Sequence, residues 1–174
     1  MQFSFALLFD SFYVIIDLVI ELIRKIESND RNEYLNMAKD FYKSPAVLSP
    51  VPKSHFDVTF DELMKGSAFT EGFIFECEEK IAGYGLIAKT FSQEAGGIVI
   101  WIEEIYVKED YRNKGLGSEF IEYVKDNIPA KRYRLETEPE NLKAQQLYKR
   151  HGFSHLEYIN YSLEVKRRKS ANNN

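Results

Sequence analysis

The sequence predicts a mixed α/β domain: a twisted, mostly antiparallel sheet that contains one parallel β-α-β crossover and carries helices on its flanks. Three observations point to it. Two β-type runs within GFIFECEEKIAGYGLIAKTF are joined by a short polar turn, the pattern of a hairpin. A further β run at 98–107 is followed by an amphipathic stretch at 116–127 and another β run at 131–137; strands connected this way lie side by side and parallel. The chain has 174 residues, 44% hydrophobic and 14% aromatic, which is enough for one sizeable core and too apolar for a disordered polymer.

The elements follow in order. Residues 1–20, MQFSFALLFDSFYVIIDLVI, form a very apolar extension. It lacks the positive start of a secretory signal, and Asp10 and Asp17 interrupt it. Two acids in lipid are costly for a spanning helix. As a helix it would align Asp10, Asp17, Glu21 and Arg24 in one polar stripe and dock on a membrane surface, on the domain or on a partner. The competing expectation is an extension outside the working domain. The domain itself is expected over 21–164. ELIRKIE reads as a strand. Asp30 and Glu33 have the spacing of a capping box, opening a helix with Tyr34, Leu35, Ala38, Phe41 and Tyr42 on one side. The prolines of KSPAVLSPVP make a loop. Thr59 and Glu62 are expected to cap a second, short helix through FDELMKG. The hairpin should turn at Glu79–Lys80 and carries Gly83 and Gly85; SQEAGG is a loop, and IVIWIEEIYV a long strand. After the helix 116–127 and the strand KRYRLET, a helix from Asn141 to His151 stops at Gly152. SHLEYINYSLEV is expected to be the last strand, and 165–174 a polar, mobile tail.

Charge and cysteine content narrow the function. A net charge of −4 gives no reason to expect nucleic acid. The single cysteine, Cys77, excludes an intramolecular disulfide, and no Cys/His spacing suggests zinc or another metal. A reducing, cytoplasmic setting fits. Cys77 has no neighbouring histidine in sequence and is expected to be a buried, inert thiol rather than an acyl carrier. His55, His151 and His155 are scattered.

The chemistry concentrates in YRNKGLGSEF, residues 111–120. Helix N-termini leave backbone N–H groups unpaired, and glycines let them line one concave surface suited to phosphate. Arg112 and Lys114 add positive charge. The Walker pattern is absent, and the dinucleotide fingerprint fails because Phe120 stands at the third glycine position. The pattern that fits is R-x-x-G-x-G, met by Arg112, Gly115 and Gly117. Before it stands IEEIYV. After it come Asn141, Tyr148 and the pair Gly152–Phe153, in that order. Together these features, over residues 21–164, resemble the GNAT N-acetyltransferase superfamily. Asn113 departs from the glycine many members have there, but asparagine tolerates the left-handed backbone.

The resemblance implies the GNAT acyl-CoA N-acyltransferase fold and direct transfer of an acetyl group from acetyl-CoA, as co-substrate and without metal, to an amine in a ternary complex. It implies that the pyrophosphate lies on the backbone of Arg112, Asn113, Lys114, Gly115, Leu116, Gly117 and Ser118. The pantetheine arm would pair with Ile105, Tyr106 and Val107, where an N–H would face the thioester oxygen. Asn141 would contact the arm or cap its helix, and Tyr148 would protonate the departing thiolate. Glu103 and Glu104 are the candidate bases. As strand neighbours they are expected to face opposite ways, and the resemblance favours Glu103. It also implies an acceptor pocket from residues 31–66, with His55, Phe56 and Asp57, and from the final strands. Acids at 57, 103, 104 and 138 suggest a cationic amine, small molecule or peptide; polyamine, aminoglycoside, amino acid and protein N-terminus stay open, as does a homodimer. The rival reading is a non-catalytic CoA-binding sensor or interaction module.

Overall fold

The computed structural model describes residues 23–165; the expectations for residues 1–20 and for the tail beyond 165 lie outside the described residues. One five-stranded sheet runs in the order β1-β2-β3-β4-β5. Its strands are β1 (Ile23–Lys25), β2 (Thr70–Cys77), β3 (Lys80–Ser92), β4 (Gly97–Val107) and β5 (Arg132–Leu135). The helices are α1 (Arg31–Phe41), α2 (Lys53–Met64), α3 (Leu116–Asn127) and α4 (Leu142–Arg150). β1 to β4 pair antiparallel; β4 and β5 pair parallel through the α3 crossover.

Both faces of the sheet are covered, which is why the middle of β2 reads as an unbroken apolar run. Phe73 and Phe75 join Ile100, Ile102 and the α3 residues Leu116, Phe120, Ile121 and Val124 in one cluster. Ile74 points the other way and joins Tyr84, Leu86 and the α1–α2 residues Tyr34, Met37, Phe56, Phe60 and Leu63. Gly85 permits the first packing: a Cβ there would lie 2.4 Å from the Phe120 ring.

Four local expectations change. The capping box is Glu27 with Asp30, one turn early, and Asp30 is also held by Arg24 at 2.7 and 2.9 Å. Glu33 is left free to pair with Lys108. Arg24 lies in β1, bonded to Asp30 and Glu76, so it belongs to no helical stripe. α2 begins directly after Pro52, whose ring presets its φ at −59°; Thr59 is internal and its hydroxyl donates to the His55 carbonyl at 2.9 Å. The hairpin turns one residue early, at Glu78 and Glu79, both with positive φ (53° and 59°), as a two-residue type I′ turn requires.

Residues 154–165 form no strand. Their alternating apolar side chains, among them Tyr161 and Leu163, stand exposed, and one side-chain bond, Asn160 to Glu136 at 2.9 Å, ties them to the end of β5. A period-2 pattern makes a strand only when a neighbouring edge supplies the ladder.

Candidate active site

β4 and β5 run together only as far as the pair Ile102–Leu135. β4 then continues through Glu103, Glu104, Ile105, Tyr106 and Val107 with β3 on one side and no β5 partner on the other. Backbone N–H and C=O groups along that side are therefore unpaired with the sheet, the condition under which an extended ligand can add as a strand.

At the point of parting the register breaks. Leu86 faces Glu104 and Ile87 faces Ile102, which leaves Glu103 as an extra residue. Such a bulge shifts the alternation of side chains. Ile100 and Ile102 pack on the α3 side, and so do Ile105 and Val107, an odd step that only the bulge allows. Glu103 and Glu104 are thus brought to the same side instead of opposite ones, and the charge of Glu103 is felt at Glu104 and at Tyr42.

The two carboxylates live differently. Glu104 accepts the hydroxyls of Tyr84 at 2.5 Å and Tyr42 at 2.8 Å. Burial pushes its pKa up, the two hydroxyls pull against that, and Glu103 adds to the rise. Glu103 is exposed as a residue, yet enough protein surrounds its carboxyl that desolvation, with Glu136 second, also raises its pKa. Among the described residues neither acid has a Lys or Arg within ion-pair distance, whereas Asp30, Glu33, Asp57, Asp61, Glu71 and Glu76 all do. Asp57 is paired with Arg31 at 2.9 Å, so unlike these two acids its charge is met within the chain.

The Glu104 arrangement has a measurable consequence. Glu104→Ala strands the buried Tyr84 hydroxyl and is expected to cost about 1–3 kcal/mol, read as a lower melting temperature. Glu104→Gln keeps an acceptor and should remain near wild type. Because the folded-state pKa of Glu104 is raised, protonation favours the fold. Wild-type stability should therefore fall as pH rises through that pKa, and the fall should shrink in Glu104→Gln.

The loop before α3 takes the expected form. Asn113 (φ 64°) and Gly115 (φ 90°) are left-handed, and Gly115 is the N-cap. Its carbonyl receives the N–H groups of Ser118 and Glu119 at 2.8 and 3.0 Å. The N–H groups from Asn113 to Gly117 have no acceptor among the described residues. Space around a Cβ at Gly115 is open, but one at Gly117 would meet Leu147 at 3.3 Å and Ile105 at 3.8 Å. Packing against Leu147 of α4 is thus one reason for the small residue at 117, beside the close backbone approach expected there. Arg112 bonds the Val107 carbonyl at 3.1 Å, and Lys114 lies 5.1 Å over the Tyr111 ring.

On α4, Asn141 caps the helix by accepting the Ala144 N–H at 3.2 Å. Tyr148 packs against the α3-side core, edge-on to Phe153 at 6.2 Å. Burial raises its pKa, so the phenol stays protonated at neutral pH, and among the described residues its hydroxyl has no hydrogen-bond partner. His151 is tied to Glu122 at 2.5 Å, away from these groups. Cys77 is partly exposed at the hairpin rather than buried. Among the described residues no group of His, Cys, Asp and Glu could hold a metal, and no helix is long and apolar enough to cross a membrane.

Tyr42 and Tyr84 were not singled out as site residues by the sequence. Tyr42 is the last of the residues expected on the apolar side of the first helix, and nothing local marks its hydroxyl as a partner for an acid 62 residues away.

Known proteins fit this geometry. Residues 32–153 match the model of the Acetyltransferase (GNAT) family. The thialysine N-epsilon-acetyltransferase of Sus scrofa is 29% identical over 147 residues, covering 75% of this chain and 82% of that protein. The Mus musculus protein of that name is 26% identical over 143 residues, covering 73% and 80%. Among solved structures, a possible acetyltransferase from Clostridium difficile 630 superposes with a TM-score of 0.71 at 20% identity, covering 83% of this chain and 97% of that one. Aminoglycoside N-acetyltransferase AAC(6')-Iy in complex with CoA does so with a TM-score of 0.67 at 17% identity, covering 82% and 93%. At such identities the structures speak for the fold. With the family match over most of the sheet and its helices, the chain belongs to the acetyltransferase (GNAT) family and transfers an acetyl group from acetyl-CoA to an amine.

Proposed function

We propose that the acceptor is a small molecule bearing a primary amine at the end of an alkyl chain, and that Glu103 and Tyr148 carry the proton transfers. The observation behind this is the parting of β4 from β5 beside a bulge that turns to one side two acids paired with no cation among the described residues. The curated relatives' name, with its N-epsilon site, supports a terminal amine.

In this reading the pantetheine arm lies along Ile105, Tyr106 and Val107, and the pyrophosphate lies on the N–H groups between Arg112 and Ser118. A terminal ammonium has a pKa of about 10.4 and must lose a proton before it can attack. Glu103, exposed and with no hydrogen bond of its own, takes that proton directly or through water. The amine nitrogen then bonds to the thioester carbon. A backbone N–H of β4 steadies the oxyanion. The C–S bond breaks, the Tyr148 phenol gives its proton to the thiolate, and the acylated nitrogen, positively charged after its attack, loses its second proton through water to the phenolate, which restores the acid. Glu104 is occupied by its two tyrosines and orders the strand instead. Asn141 serves the site by capping α4. The cytoplasm, which supplies acetyl-CoA and keeps Cys77 reduced, is the proposed setting.

The test is in two parts. Thiol release from acetyl-CoA across primary amines should show turnover with ω-amino alkyl acceptors above that with peptide N-termini; the reverse order overturns the acceptor class. Arg112→Glu with Lys114→Glu places anions beside unpaired N–H groups. CoA affinity, by calorimetry, should fall about 10-fold or more while circular dichroism stays native. Unchanged affinity would remove the pyrophosphate from this loop.

A further inference from the structure

We infer that the corner formed by Phe41, Tyr42 and Tyr106 over Glu104 is a binding site for a second, non-reacting ammonium of the acceptor. This rests on the acceptor reading above and narrows it to amines that carry another cation.

The corner is built where α1 ends against β4. The Phe41 and Tyr42 rings meet edge-on with centroids 5.2 Å apart, and Phe41 meets Tyr106 edge-on at 6.4 Å. All three residues are partly exposed. Phe56, itself buried, supports the Tyr42 ring at 5.4 Å, and Tyr84 backs Tyr106 at 5.8 Å. Phe41 stands perpendicular to both tyrosine rings, and the ring faces that stay exposed at this corner attract an organic cation through their quadrupoles. The Tyr42 hydroxyl donates its proton to Glu104, so its oxygen lone pairs remain available to an ammonium N–H.

The independent observation is charge. The bulge turns Glu103 and Glu104 to one side, and the chain supplies neither with a cation among the described residues. A buried carboxylate without a counter-ion is costly. Two tyrosine hydroxyls reduce that cost at Glu104 but leave its charge uncompensated. Asp40 adds to the negative field at Tyr106, while Arg112 opposes it. A dication whose reacting end reaches Glu103 can supply the missing charge with its other end. Cation and aromatic corner then explain each other: the rings take up the alkyl chain and the face of the ammonium, and Glu104 supplies the charge.

The experiment compares 1,5-diaminopentane with pentylamine, equal in length and differing in one ammonium. Wild type should prefer the diamine by about 10-fold or more in kcat/KM, through KM. Tyr42→Phe, which keeps the ring but loses the bonded hydroxyl, and Phe41→Leu should each erase most of that preference, with kcat for pentylamine little changed. Without acetyl-CoA, 1,5-diaminopentane should shift the ring resonances of Phe41, Tyr42 and Tyr106 saturably, whereas pentylamine should not. Equal kcat/KM for the two amines, a preference that survives both substitutions, or absent ring shifts would overturn the site. Ring shifts without turnover of either amine would uphold the site and overturn the proposed acceptor class, so the two failures are distinguishable.

Discussion

Tyr148→Phe is expected to lower kcat by about 10²–10⁴-fold, the usual contribution of a positioned general acid, or roughly 3–5 kcal/mol on the barrier. The ring would stay against the α3-side core and Phe153, so melting temperature and CoA affinity should hold. The raised pKa of Tyr148 keeps the phenol protonated at neutral pH, in position to donate to the negative charge that develops on sulfur as the C–S bond breaks. If the hydroxyl mattered only to packing, the variant would melt earlier and turn over normally per folded molecule. Steady-state kinetics beside a thermal melt separates the two, and a wild-type kcat in a stable Tyr148→Phe protein would remove Tyr148 from the chemistry.

Glu103→Gln should cost about 10²-fold near neutral pH, with little effect on stability because the residue is exposed and no described side chain pairs with it. The pH profile is the more telling readout. A base must be ionised to act, and the Glu103 pKa is raised by burial and by Glu136. Wild-type kcat/KM should therefore fall on the acid side as pH drops through that raised value. In Glu103→Gln this acid limb should vanish, and the rate should recover toward pH about 10, where the amine loses its proton unaided. A loss equal at every pH would transfer the role to Glu104 or to water. Glu136→Gln, by removing the neighbouring charge, should move the wild-type acid limb to lower pH.

Much of the framework was legible because the relevant signals are local. α3 appears at its expected residues, since a left-handed Gly115 and an apolar stripe define its start and course within one stretch. The β4–α3–β5 crossover follows from element order alone. The capping box shifted by a turn where other partners competed for its acids: Glu27 and Arg24 took Asp30, and the distant Lys108 took Glu33. The orientation of Glu103 and Glu104 was misread for a related reason. Two adjacent strand residues alternate unless the opposite strand skips a position, and the skip lies in how β3 pairs, not in IEEIYV itself. The last segment shows the converse: residues 159–165 alternate as a strand should, but the pattern does not name the edge that would pair with them.

The notch at Gly85 has a mechanical consequence. Phe120 seats its ring where a side chain on β3 would otherwise stand, so α3 is keyed into the sheet like a peg in a slot. The helix can neither slide nor roll without lifting that ring, and the loop at its N-terminus inherits this stiffness. The opposite wall is packed as well as paired: Tyr34, Met37 and Ala38 of α1 are buried with Phe56 and Phe60 of α2 against the sheet, and its rim adds the ion pairs of Lys108 with Glu33 and of Arg31 with Asp57 and Asp61. Such pairs exchange with water and weaken in salt. Salt should therefore loosen the polar rim of the α1–α2 side first, while the packed cores on both faces of the sheet hold.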